Sequence, residues 1–329
     1  MATDSELSIV LTRRADATIW QKTWEECPWA TFFESPDWAA VFVHTFGDVY
    51  ELHPLEIAFS DGAVAIVPGV SGKRMRGRVK MLECSPGGTY GGPISVDNLQ
   101  SRHLDLLINE VKSQFPNVSL RINPYLLSNL KNPGYSDGDF TQNIDLLLPE
   151  GPFNELFRKR RIFAYARKAK DLGYFIKPAS VGHLENFHNL YVEASTQWGE
   201  VAKVYSLSFF RKLVESPMCD FLGCYDDSGE LVGGGLFVRS VNHAISWLAI
   251  INPECKKKGI FDFFYYEVIF HYRNEGLKYF DFNPSGGIEG VVWFKDKFQP
   301  DRLPAPVIIG KSFLVKVVDS LNKIMKRYG

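Results

Sequence analysis

Three apolar runs, residues 221–225, 231–238 and 244–251, follow one another with short polar links, the first link being Asp226-Asp227-Ser228-Gly229. A long aromatic-rich segment, 259–274, and another apolar run, 278–282, come directly after them. Short apolar runs joined by tight polar turns pair as antiparallel neighbours. The segment over 259–274 is too long for a strand, and Gly276 just past its end is a helix stop. A meander, a crossover helix and a returning strand require a mixed sheet with helices packed on it.

The first half carries a weaker version of the same progression. Strand-like runs at 50–59 and 63–70 flank Ser60-Asp61-Gly62, and 80–84 reads as another strand. A stretch from Ser85 to Pro93 with four glycines and two prolines cannot be regular structure. An amphipathic helix over 99–115 and a buried strand over 118–122 follow. Ahead of them, residues 15–45 read as helical, with a second helix over 36–44 started by Ser35-Pro36. After a loop at 128–140 and a strand at 141–148, the pattern restarts: a helix over 152–172, a strand at 174–178, helices over 181–197 and 206–215. At 329 residues the chain exceeds what one hydrophobic core usually holds. The expectation is therefore an α/β (α+β) chain of two tandem domains of one fold, 1–150 and 151–329, the second ending in a C-terminal helix.

A formal charge of −1 gives no overall field for nucleic acid, so DNA is not an expected partner and any polyanion must meet a local basic patch. The five cysteines are odd in number and scattered, without a Cys-x-x-Cys pair, which fits reduced thiols in a cytoplasmic protein. Residues 1–11 lack the basic start and apolar core of a signal peptide, and no apolar run approaches a membrane span, leaving at most peripheral membrane contact. The histidines show no metal-ligand spacing, so no metal is expected. Nucleophile-elbow, Walker and dinucleotide motifs are missing, which leaves covalent serine chemistry and nucleotide hydrolysis without support.

Four stretches carry a resemblance to a known family. They are Thr31-Phe32-Phe33-Glu34-Ser35-Pro36-Asp37-Trp38; Gly88-Thr89-Tyr90-Gly91-Gly92-Pro93; Thr141 to Leu146 with the basic helix through Arg161, Arg167 and Lys170 to Gly173; and Gly276 to Asp281 with Gly286-Gly287-Ile288, Gly290 and Phe294-Lys295-x-x-Phe298. In order and spacing the chain resembles the FemAB-like branch of the GNAT acyltransferases, whose members carry two GNAT-type domains, each a mixed, mostly antiparallel sheet flanked by helices. It departs from members acting on nucleotide-linked muropeptides at Ala39-Ala40-Val41-Phe42 and Gln197-Trp198-Gly199, where basic groups would be expected, and it lacks a helical-hairpin arm.

The resemblance implies a bacterial N-acyltransferase of cell-envelope biogenesis that moves an acyl or aminoacyl group onto an amine of an envelope or exopolysaccharide precursor. The acceptor would be a small molecule, a glycan or a peptide precursor. No tightly bound cofactor is expected; the co-substrate is acyl-CoA or aminoacyl-tRNA, which makes tRNA a candidate partner. Lys295 takes the catalytic place, a cation beside the developing oxyanion; Glu289 and Asp281 are candidates by position for the base. Tyr90, Trp38, Arg161, Arg167, Asn283, Ser285, Gly286 and Gly287 are candidate substrate contacts. Lys256, Lys258 and Gly259, ahead of a helix, are candidate phosphate contacts for coenzyme A. Each has a plainer reading: solvated charge for the basic helix, a surface lysine for Lys295, a buried loop anchor for Tyr90, a polar turn for 283–290. The alternative to an enzyme is a degenerate pair of domains that binds a glycan or nucleotide-sugar precursor without catalysis.

Overall fold

A computed structural model describes residues 6–74, 79–84, 86–131, 134–135, 138–158, 160–196, 204–313 and 315–316. The segment Gln197-Trp198-Gly199 and most of the expected C-terminal helix lie outside the described residues. The chain forms two compact units, one of residues 1–139 with 304–329, the other of residues 140–303.

In the first unit, β1 (Ile9–Arg14), β3 (Leu55–Phe59) and β4 (Val64–Val67) form an antiparallel sheet. The helices α1 (Ala17–Glu26) and α2 (Pro36–Thr45) lie between β1 and β2 (Tyr50–Leu52). Side chains cap both helices: Asp16 accepts from Thr18 N, and Ser35 accepts from Trp38 N with Pro36 in the first turn. A second sheet has the order β15 (Val307–Gly310), β7 (Val118–Arg121), β6 (Val79–Glu83), β5 (Val70–Arg74), β2. Here β6 and β7 are parallel, joined by the crossover helix α3 (Ser101–Gln114). Two expected strands are thus each split: Pro54 separates β2 from β3, and Pro68-Gly69 separates β4 from β5. A short helix, α4 (Pro124–Asn129), capped by Asn123, runs into the start of the loop expected at 128–140.

The second unit is one seven-stranded mixed sheet of order β14 (Asp301–Pro304), β8 (Phe140–Asp145), β13 (Tyr279–Asp281), β12 (His243–Ile251), β11 (Leu231–Arg239), β10 (Cys219–Tyr225), β9 (Phe175–Pro178). The expected meander is β10–β12, antiparallel throughout. The chain crosses over through α9 (Pro253–Lys257) and α10 (Ile260–Asn274) to β13, parallel to β12. The helices α5 (Glu150–Glu155), α6 (Ile162–Asp171), α7 (Leu184–Ser195), α8 (Leu207–Val214) and α11 (Glu289–Asp296) complete the unit. Its core joins Ile144, Phe153, Phe157, Phe237, Phe264, Val268, Tyr272 and Phe298.

Two further features differ from the sequence reading. The strand before residue 150 belongs to the second unit, because β8 pairs antiparallel with β13. The expected helix over 152–172 is two helices. The Glu155 and Leu156 carbonyls accept the Gln299 side-chain amide, at 3.0 and 2.7 Å, and Arg161 turns left-handed at φ 59° before α6 begins. Arg161, outside helical dihedrals, breaks the helical ladder, and the Gln299 amide caps carbonyls at the end of α5.

Candidate active site in the second unit

Parallel pairing between β12 and β13 covers only His243–Ile245 against Tyr279–Asp281. Beyond it β12 runs on to Ile251, while the chain after β13 turns away at Asn283. That residue adopts the left-handed region at φ 62°, which asparagine tolerates better than most residues. A strand that loses its neighbour leaves backbone N–H and C=O groups along one edge, and here a cavity of about 540 Å³ opens beside that edge. Residues 246–251 form one wall and Phe282, Asn283 and Pro284 another. The β11–β12 register shifts so that Trp247 opposes no residue of β11, a bulge that re-aims the strand at the cavity. Its indole stacks on Phe209 at 5.6 Å.

Apolar side chains make up most of the lining. Phe261 of α10 stacks on Phe294 of α11 at 4.7 Å, and Tyr265 packs on Phe294 and Phe282 at 5.3 and 5.5 Å. Tyr265 is buried, its hydroxyl 2.9 Å from Ser246 Oγ, and burial pushes its pKa up to about 12, so it stands as a neutral phenol.

The polar end of the cavity is built around Lys295. This side chain is only 6% exposed, yet it lines the cavity. Its Nζ donates to the Asn283 carbonyl at 2.6 Å and to Ser285 Oγ at 2.9 Å. Two tethers of this kind hold the ammonium at one point. Gln142 of β8 anchors the helix that carries it, its Nε2 donating to Asp296 Oδ1 at 2.7 Å and to the Val292 carbonyl at 3.3 Å. Asp281 is fully buried below, where its Oδ1 accepts from Thr141 Oγ1 and from Asn283 N, each at 2.6 Å. That bond fixes the turn which aims the Asn283 carbonyl at Lys295. Asn283 Oδ1 is buried at the cavity wall with no hydrogen-bond partner among the described residues.

The residues singled out in the sequence thus have different fates. Lys295, Asn283 and Ser285 meet at one point; Lys295 and Asn283 line the cavity, and Lys256 joins these two on its wall, its Nζ 5.8 Å from the Phe261 ring centroid. Gly286 and Gly287 make an exposed left-handed turn at φ 58° and 77° between Ser285 and α11. Gly259 opens α10 at φ 80°, and a Cβ there would sit 2.6 Å from Tyr165 Cδ1, so only glycine fits. Lys258, Arg161 and Arg167 are exposed and do not line the cavity, nor does Glu289, exposed in the first turn of α11.

Trp38 and Tyr90 are fully buried in the first unit. Trp38 Nε1 donates to Thr89 Oγ1 at 3.2 Å, and both rings pack on Phe33. Side chains with no exposed surface cannot touch a ligand in this conformation, so both are corrected to packing residues that hold the glycine-rich loop. Asp281, equally closed off, orients the Asn283 turn and reaches no acceptor. Sequence reasoning missed Ser246, Trp247, Tyr265 and Glu193 as cavity residues. No motif marks them, and only the divergence of β12 from β13 exposes them.

Among the described residues no group of three or more His, Cys, Asp or Glu side chains is placed to hold a metal ion. All five cysteines are buried and unpaired by disulfides. No described helix is long and apolar enough to cross a membrane.

Residues 157–290, most of the second unit, match the family model of the acetyltransferase (GNAT) domain. Among solved structures the chain is similar to FemX, with a TM-score of 0.66 at 12% identity over 90% of this chain and 96% of that one. It is also similar to a conserved protein of unknown function from Bacteroides thetaiotaomicron VPI-5482, with a TM-score of 0.53 at 12% identity over 89% and 96% of the two chains. No match to the sequence is found among curated proteins.

Proposed function

We propose, from the premise that the chain is a FemAB-like GNAT acyltransferase, that it moves an acyl group from a coenzyme A thioester to an amine. The observation that carries this reading is the cavity beside the unpaired edge of β12. An extended, amide-bearing arm such as that of coenzyme A can bond to such an edge as an added strand does. The apolar lining around Phe261, Phe294 and Val291 suits an arm of that kind and a short acyl group. Lys256 stands on the same wall just ahead of α10, where a phosphate gains from both the ammonium and the positive helix terminus.

In the chemical step the protein supplies position and charge. Bringing the thioester and the amine together in one cavity removes most of the entropic cost of their encounter. Attack on the carbonyl carbon puts negative charge on its oxygen, and the fixed Lys295 ammonium lowers the energy of that charge in a largely apolar surround. The acceptor we propose is an amine of a cell-envelope or exopolysaccharide precursor.

A second reading has its own support. Arg161, just ahead of α6, and Arg167 and Lys168 on it are exposed and have no ion-pair partner among the described residues, a surface that suits the backbone of an aminoacyl-tRNA. Isothermal titration with acetyl-CoA, coenzyme A and a non-acylatable aminoacyl-tRNA analogue separates the two. Coenzyme A should bind, about tenfold more weakly to Lys256→Ala, the loss of one phosphate contact worth about 1.4 kcal/mol. Binding of the tRNA analogue alone would move the donor to aminoacyl-tRNA. Silence towards all three would favour a non-catalytic binding protein.

A further inference from the structure

The acceptor amine must lose a proton before it attacks, and neither carboxylate suggested by sequence position lines the cavity: Asp281 is sealed beneath the Asn283 turn, and Glu289 is exposed in the first turn of α11 and is not among the lining residues. One carboxylate does line it. Leu190, Glu193 and Ala194 of α7, at helical spacing i, i+3, i+4, present one face to the cavity. Glu193 is exposed, and its carboxylate has no hydrogen-bond or ion-pair partner among the described residues. Among the described residues the other ionisable groups on the wall are Lys256, Lys295 and the neutral phenol of Tyr265. Along α7 the nearby titratable side chains are already engaged: His188 Nε2 lies 3.0 Å from the Tyr205 carbonyl, and Tyr191 OH accepts from Tyr205 N at 3.0 Å. Exposed carboxylates are common, but among the described residues this is the sole carboxylate lining the cavity, and it faces a wall whose described cations are two lysines.

We infer that Glu193 is the general base of the reaction and the group that draws a cationic amine into the cavity. This inference rests on the acyl-thioester reading. The amine enters as its ammonium, and one Glu193 oxygen accepts a proton that passes on to solvent. The freed nitrogen lone pair forms the C–N bond to the thioester carbonyl carbon. The C–S bond then breaks, its electron pair leaves with sulfur, and the second nitrogen proton follows to give the thiol. Acceptors are thereby restricted to basic amines, which gain from the carboxylate twice, on entry and on deprotonation.

Two small nucleophiles that need no acceptor-specific contacts test this: ethylamine, protonated at neutral pH, and hydroxylamine, largely unprotonated there. Thiol release from acetyl-CoA is measured with each at pH 6–10 for wild type, Glu193→Gln and Glu193→Asp, with acetyl-CoA titration and thermal unfolding as controls. Glu193→Gln should lose about 100-fold or more with ethylamine at pH 7, the usual contribution of a positioned base. It should stay within a few-fold of wild type with hydroxylamine, and the ethylamine deficit should shrink towards pH 10. Glu193→Asp should keep part of the ethylamine rate. Equal losses with both nucleophiles, or no loss with either, would overturn the assignment. A wild-type protein that binds acetyl-CoA yet accelerates neither reaction also overturns it, whereas failure to bind acetyl-CoA overturns the donor reading on which it rests.

Discussion

Glu34 makes the first unit sensitive to pH, with a sign opposite to that of most carboxylates. Its side chain is fully buried. One oxygen accepts from Thr31 N at 2.9 Å and Thr31 Oγ1 at 2.6 Å, the other from Asn123 Nδ2 at 2.9 Å. These donors favour the charged form, but loss of hydration outweighs them and raises the pKa from the ordinary 4.5 to about 7. Between these values the folded state binds a proton that the unfolded state has released, so stability falls as pH rises. The contribution is intact below pH 4.5, declines from there to about 7 and is level above. Two and a half decades at about 1.4 kcal/mol each remove about 3 kcal/mol. Glu34→Gln abolishes the titration at a fixed cost. If its oxygen keeps the Thr31 donors, its NH2 meets the Asn123 NH2, and Asn123 cannot turn over because its Oδ1 accepts from Tyr125 N and Leu126 N. That conflict costs about 1–3 kcal/mol at every pH. Wild type should therefore be the more stable at pH 5, and the gap should close or reverse by pH 8. Urea unfolding followed by tryptophan fluorescence reads this locally, since Trp20, Trp24, Trp29 and Trp38 are buried in the first unit and Trp20 Nε1 donates to the Glu34 carbonyl at 2.8 Å. A gap that is constant from pH 5 to 8, or widens in favour of wild type, would mean that the carboxylate stays ionised and that the donors outweigh burial.

Three further outcomes follow from the second unit. Lys295→Met keeps the length of the side chain but removes the cation; acyl transfer should fall about 100- to 1000-fold in single-turnover assays while acetyl-CoA affinity changes little. Gly259→Ala should lower stability to thermal unfolding by about 1–3 kcal/mol, from the left-handed φ and the Tyr165 contact together; adding Tyr165→Ala should restore only the second part. Gln142→Leu removes the anchors to Asp296 and Val292, so amide exchange over 292–296 should rise, and kcat should drop through loss of the Lys295 position; unchanged protection there would refute that role for Gln142.

Much of the second unit was legible because its signals are local. Apolar runs with Asp226-Asp227-Ser228-Gly229 between them mark the β10–β11 hairpin, and Gly259 and Gly276 bracket α10. The break between α5 and α6 was not legible, because a left-handed arginine at 161 has no sequence signature and the Gln299 amide that caps the Glu155 and Leu156 carbonyls comes from far away in the chain. The side of the boundary on which residues 140–145 fall was hidden for the same reason: an apolar strand does not announce its partner, and β8 pairs with β13. Trp38 and Tyr90 misled in the other direction. An aromatic beside glycines suggests a site, yet here the glycines serve the loop and the rings fill the core.

The cavity exists because a parallel pair is allowed to stop early. Parallel strands joined by a crossover need not match in length, and β13 is only three residues long against nine in β12. The unmatched part of β12 would be an exposed edge, a liability in most sheets. Here Asn283 turns the chain away, Asp281 fixes that turn, and α11 is brought over the gap with Lys295 tied back to the turn. The same few bonds therefore keep the edge open and place a cation beside it. On this account, filling the gap should be as damaging as removing the cation. Ala249→Trp, on the unmatched edge, should abolish acetyl-CoA binding while leaving the Lys295 tethers and the unfolding transition of the second unit in place; retained binding would mean that the donor lies elsewhere.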